Sequence, residues 1–128
     1  MTEIKNALIK STMLGREDHG ALTFYLYLDY GSTSQGFGGY VLDDPVKDDE
    51  GKFIYRRGTA FGCEAIIKVM EIVGVDSWEK LPGKYCRVES AGSWDGAIIQ
   101  IGNILKDRWL NLKELAAKFK EGKVNEPG

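Results

Sequence analysis

Hydrophobic and polar side chains alternate strictly from Leu22 to Tyr30. Leu22, Phe24, Leu26 and Leu28 fall on one face, and Thr23, Tyr25, Tyr27 and Asp29 on the other. A period of two held over this length predicts a half-buried strand. Asn6 to Leu14 alternates more loosely and predicts a strand before it, with Gly15 to Gly20 as the intervening turn. Gly31-Ser32-Thr33-Ser34 predicts a second turn, and Gln35 to Leu42 a returning strand interrupted by glycines. The three segments make an antiparallel meander. With Gly31 to Ser34 as the loop, Tyr30 pairs with Gln35 and Leu26 faces Gly39 inside. Outside, Tyr25 then lies opposite Tyr40, and the Tyr27 ring covers Gly38.

The pattern then changes. Asp43 to Gly58 is polar, with Asp43, Asp44, Asp48, Asp49 and Glu50 around Pro45, and reads as a solvated, mobile loop leading to a short strand at Lys52 to Arg57. Phe61, Ala65, Ile66, Val69, Met70 and Val73 form a helical stripe between Thr59, an N-cap, and Gly74, a C-terminal stop. Asp76 and Glu79 have capping-box spacing and open a helical turn ended by Pro82-Gly83. Lys84 to Glu89 and Ala97 to Leu105 predict two more strands. Asn111 and Glu114 repeat the capping spacing before an amphipathic helix with Leu112, Leu115, Ala116 and Phe119. The expected fold is α+β: a mostly antiparallel sheet, beginning with the N-terminal meander, packed on one main helix, with a short C-terminal helix. A small Greek-key barrel is the alternative. Residues 1–122 are expected to form one globular domain, followed by a flexible tail over 123–128.

Composition narrows the function classes. In 128 residues, 17 basic and 19 acidic side chains leave a net charge of −2, which argues against a protein that coats polyanions. Two cysteines cannot make a disulfide framework. No apolar run approaches the ~20 residues of a membrane span, and Met1-Thr2-Glu3-Ile4-Lys5 lacks a signal-peptide core. A soluble, intracellular protein is expected. The 16 glycines exceed the roughly nine that average usage of ~7% implies, and six of them lie in the meander.

Candidate chemistry is sparse. His19 is the sole histidine, follows the carboxylates Glu17 and Asp18, and lies at the same end of the meander as Asp43 and Asp44. A general base or a one-histidine metal site would need that cluster; a solvated turn histidine is the simpler reading. Cys63 and Cys86 lack a C-x-x-C partner, and a cysteine nucleophile would have His19 as its available base. The acidic stretch fails the EF-hand pattern, since Val46 and Asp49 stand where a ligand and a glycine are required when counting from Asp44. Gly31 to Tyr40 is not a phosphate loop, because a strand follows it instead of a helix. Tyr25, Tyr27 and Tyr40 form a candidate aromatic sheet face of the kind that stacks single-stranded bases, but Thr23, Asp29 and Gln35 surround it where a nucleic-acid site would carry Lys and Arg. Charge divides between the acidic Asp43–Glu50 stretch and a mildly basic segment from Lys106 to Lys123.

Leu14-Gly15-Arg16-Glu17-Asp18-His19-Gly20, with the strand that follows, Gln35 to Tyr40, Gly58 to Gly62, Ser77 to Lys84 and Ile104 to Trp109, resembles small accessory proteins of bacteriophages and prophages. That resemblance implies expression in a bacterial cytoplasm and a role in binding host machinery, counter-defence inhibition included. The expected function is therefore non-catalytic binding of a host protein or protein–nucleic-acid complex, with no cofactor and no metal. Single-stranded nucleic-acid binding on the tyrosine face is the alternative. Candidate binding residues are Tyr25, Tyr27, Tyr40, His19, Asp43 and Asp44.

Overall fold

The computed structural model describes residues 2–91 and 96–122; the tail expected over 123–128 lies outside them. It is an α+β fold built on a mostly antiparallel sheet. Strands β1 (Glu3–Asp18), β2 (Ala21–Tyr30) and β3 (Thr33–Gly38) form the expected meander. Both of its turns are tighter than the glycine spacing suggests. Asp18 pairs with Ala21, so the first turn is His19-Gly20, both at positive φ (55° and 89°). Tyr30 pairs with Thr33, so the second is Gly31-Ser32.

A two-residue turn matches the right-handed strand twist better than a four-residue one. It moves the register by two residues from the expected one: Leu26 faces Phe37, Tyr27 faces Gly36 and Tyr25 faces Gly38. An even shift leaves each side chain on its own face, so Phe37 still enters the core. The strand nonetheless stops at Gly38 instead of reaching Leu42. Gly38 and Gly39, at φ 132° and 85°, turn the chain away there. Tyrosine does cover glycine, but the ring is Tyr25: its Cδ1 lies 3.2 Å from where a Gly36 Cβ would be, and its hydroxyl 2.6 Å from that position on Gly39.

The acidic stretch is not a mobile loop. Its first half is strand β4 (Asp43–Lys47), paired with β5 (Phe53–Gly58) in a separate two-stranded ribbon. Asp48 folds the tip, its carboxylate accepting the backbone N–H of Glu50 and of Lys52, both at 2.9 Å.

Helix α1 (Ala60–Val73) has the expected ends. Thr59 Oγ1 accepts the Gly62 N–H at 2.9 Å, and Gly74 (φ 94°) closes the last turn on Met70. The next helical turn, Trp78–Lys80, is not capped by Asp76, whose carboxylate takes Lys80 Nζ at 2.8 Å instead. Strands β6 (Tyr85–Ser90), β7 (Ile98–Gly102) and β8 (Trp109–Leu110) follow. The expected strand to Leu105 ends at Gly102 because Asn103 Oδ1 accepts the N–H of Leu105 and of Lys106 and turns the chain. Asn111 caps α2 (Leu112–Gly122) by accepting the Glu114 N–H at 3.0 Å.

The main sheet runs β3-β2-β1-β6-β7-β8, every pair antiparallel. β1 serves both halves: residues 3–8 pair with β6 and residues 8–18 with β2, the second pairing being irregular at Lys10 and again between Gly15 and Asp18. The sheet curls until β3 meets the start of β7, where Gln35 Nε2 donates to the Gly96 carbonyl at 2.8 Å. Its edge strands stay unpaired with each other, so the curl stops short of a barrel. The inner face presents Ala7, Ile9, Leu26, Leu28, Phe37, Cys86, Val88 and Ile101, packed with Ala65, Val69 and Ile72 of α1 and Leu112 of α2. Burying these side chains is the main stabilising term of the fold, at ~1.5–3 kcal/mol for each large one.

Candidate functional site

Both helices pack on the inner face, and among the described residues no helix lies over the alternating side chains of the outer face. Period-two geometry puts Ile4 and Leu8 of β1, Tyr25 and Tyr27 of β2, and Tyr85 of β6 on that side. Beyond the Lys10 irregularity, Met13 pairs beside Tyr25 and Ser11 beside Tyr27, while Leu8 pairs beside Tyr85. The Tyr25 and Tyr27 rings are nearly parallel, 17° apart in plane with centroids at 5.9 Å. Tyr27 is 42% exposed, Ile4 56% and Tyr85 57%. The face thus carries a stacked Tyr25–Tyr27 pair and a Leu8–Tyr85 cross-strand pair, with Asp29 opposite Leu8, while Ile4 stands apart beside Glu89.

Two charges on this face, Arg87 and Glu89, are already engaged, whereas Lys10 is exposed and makes no ion pair among the described residues. Arg87 stacks its guanidinium 4.7 Å above the Trp109 ring and donates to the carbonyls of Asn103 and Lys106, each at 2.7 Å. Glu89 accepts from Thr2 Oγ1 and Gln100 Nε2, and these bonds, the Thr2 one first, hold its carboxyl below the usual range. Arg87 is therefore a poor phosphate ligand, since reaching out would break two hydrogen bonds and a cation–π contact.

The candidate residues from the sequence separate into four places. Tyr25 and Tyr27 share the open face. Tyr40 does not join them: the turn at Gly38-Gly39 carries it to the start of α1, where its ring meets Phe61 edge-on at 6.1 Å and its carbonyl accepts Thr23 Oγ1. His19 sits at the tip of the first hairpin with its side chain 99% exposed, Nδ1 being 3.2 Å from Asp18 Oδ1. Asp43 is buried at the ribbon base, pairs with Arg56 at 2.9 Å and accepts the Leu22 N–H at 3.1 Å. The Arg56 hydrogen bond holds its carboxyl below the usual range against the opposing effect of burial. Asp43 is thus a structural clamp, whereas Asp44, next to it, is exposed and pairs across the ribbon with Arg57. Among the described residues, no three His, Cys, Asp or Glu side chains gather as a metal site would require. Cys63 is exposed, and burial pushes the Cys86 thiol up to about 12.

Sequence reasoning missed two surfaces. Tyr85 joins this face because β6 returns to β1 across the whole middle of the chain; its alternation with the inward Cys86 and Val88 gave its face but not its neighbours. Phe53, Ile54 and Tyr55 are 60%, 56% and 53% exposed on the ribbon, a run of apolar side chains inside a charged segment. No family model, curated protein or solved structure matches the chain. Among the described residues, no helix is long and apolar enough to cross a membrane.

Proposed function

We propose that this chain is a non-catalytic binding protein that docks on a protein partner through the outer face of its main sheet. The observation that carries this reading is the pair of apolar clusters, Tyr25–Tyr27 and Leu8–Tyr85, that no described helix covers on the outer face. Grouped apolar side chains on a monomer surface, unlike singly scattered ones, mark interaction sites. Tyrosine suits such a site, having a large rigid ring, a polar tip and little rotamer entropy to lose. In the phage setting that the resemblance implies, the partner is a bacterial host protein or a protein–nucleic-acid complex, and the binding serves an accessory role such as counter-defence inhibition.

The near-parallel Tyr25 and Tyr27 rings favour a second reading, stacking of single-stranded bases. The engaged state of Arg87 and the neighbouring Glu89 place it second.

The test is capture of bacterial proteins by the immobilised chain, with and without nuclease, comparing wild type with Tyr27→Ala and Tyr85→Ala. Both rings are exposed, so both variants should keep the wild-type melting curve. A protein held after nuclease treatment and lost with either variant is the expected result; retention by both variants would remove the sheet face from the reading. Fluorescence anisotropy with labelled single-stranded DNA and RNA at about 50 and 200 mM salt tests the second reading. Base stacking predicts a loss of ~1–3 kcal/mol for Tyr25→Ala or Tyr27→Ala, with a steep salt dependence.

A further inference from the structure

The β4–β5 ribbon stands outside the main sheet, and an isolated two-stranded ribbon is marginal in water unless something covers it. Its base is secured by the Asp43–Arg56 pair, yet Phe53, Ile54 and Tyr55 beyond that base are all more than half exposed. At the tip, Asp48 is engaged by backbone N–H groups, while Asp49 and Glu50 are exposed and make no ion pair among the described residues. Lys47 and Lys52 flank them.

The same chain carries a groove of matching character between α1, β8 and α2. Lys68, Arg108 and Lys118 line it, with Trp109 and Leu115 as its apolar part and Glu71 and Glu114 as its acids. Lys68 is held by Glu64 and Glu71 at 3.6 and 3.5 Å. Arg108 and Lys118 make no ion pair among the described residues. Two unengaged acids at the ribbon tip thus complement in charge two unengaged cations in the groove, as the flanking Lys47 and Lys52 complement its Glu71 and Glu114.

We infer that the occupant of this groove is the ribbon of a second copy of the chain: Asp49 and Glu50 of one copy pair with Arg108 and Lys118 of the other, while the ribbon face that carries Ile54 lies against the apolar part of the groove. Each copy has one ribbon and one groove, so reciprocal exchange gives a closed two-fold dimer. The contact uses a surface separate from the open sheet face, so it stands independently of the protein-binding reading.

The experiment is mass measurement by light scattering across a dilution series of the full chain. A dimer is expected, and its dissociation constant should rise about tenfold or more in Ile54→Asp and in Arg108→Glu/Lys118→Glu. Asp49→Lys/Glu50→Lys should dissociate the dimer alone and restore it when combined with the groove reversal. Tyr27→Ala should leave the mass unchanged. A monomer at the highest concentration overturns the inference. So does a dimer that resists the groove reversal, which would point to ribbon–ribbon pairing. Circular dichroism keeps the result interpretable, because every substituted side chain is exposed or lines an open groove and the variants should fold.

Discussion

Gly62 lies so close to Leu42 that a Cβ on it would stand 2.1 Å from the Leu42 carbonyl oxygen. That same oxygen accepts Thr59 Oγ1 at 2.9 Å, and Thr59 Oγ1 in turn accepts the Gly62 N–H. The N-cap of α1 and the segment before the ribbon are therefore locked at one point. Alanine normally favours a helix over glycine by up to ~1 kcal/mol. Here the sign should reverse. Gly62→Ala is expected to cost ~1–3 kcal/mol through overpacking against backbone. Gly58→Ala, where a Cβ meets nothing within 4 Å, should stay within about 0.5 kcal/mol. Denaturant unfolding of both variants checks this, and equal midpoints would refute the close approach.

The clamp at the ribbon base should appear in the acid limb of stability. Asp43 is held below its ordinary value of 3.8, first by the Arg56 hydrogen bond. A carboxylate with a depressed folded-state value stabilises the fold above its unfolded value and loses that contribution as pH falls through the folded one. Asp43→Asn should therefore be less stable than wild type at neutral pH, and the gap should close below about pH 3.8. Urea midpoints for both proteins from neutral pH to about pH 2 measure it. A gap that persists at the acid end would assign the loss to something other than this charge.

The two cysteines should differ sharply in reactivity. Cys63 is exposed, whereas the Cys86 thiol is buried and pushed up to about 12. A thiol reagent near neutral pH is expected to label Cys63 in the folded protein and to reach Cys86 after denaturant is added, because the thiolate is the reacting species. Rapid native labelling of both would contradict the packing of the inner sheet face.

The α+β class was legible because its signals are local. The alternation of β2, the Thr59 cap and the Gly74 stop each depend on neighbours a few residues away. The meander register was not, since two-residue and four-residue turns at Gly31 keep the same side chains inside and differ in no hydrophobic pattern. The second strand of the ribbon was expected at Lys52 to Arg57, but its first strand was hidden for another reason. Asp43 reads as a solvated acid until Arg56, thirteen residues on, arrives beside it. In the candidate site, Tyr25 and Tyr27 were readable from one strand alone. Tyr40 was misplaced because its face was carried through Gly38-Gly39, where the backbone turns. Tyr85 needed the pairing of β6 with β1, a contact over about eighty residues that no local pattern encodes.

That double use of β1 sets an order of assembly. Its second half finds β2 and β3 within the first thirty-eight residues, at small loop-closure cost, so the meander can zip while the rest of the chain is still unstructured. Its first half must wait for residues 85–90, and until then the backbone groups of residues 3–8 are an unpaired template. Refolding should accordingly show amides of β2 protected before those of β6 in pulsed hydrogen exchange, and simultaneous protection would contradict this order. In the interval, the exposed half-strand is the place where one chain can mistake another for its own sixth strand. Crowded synthesis, more than heat, is then the condition under which this fold is most vulnerable.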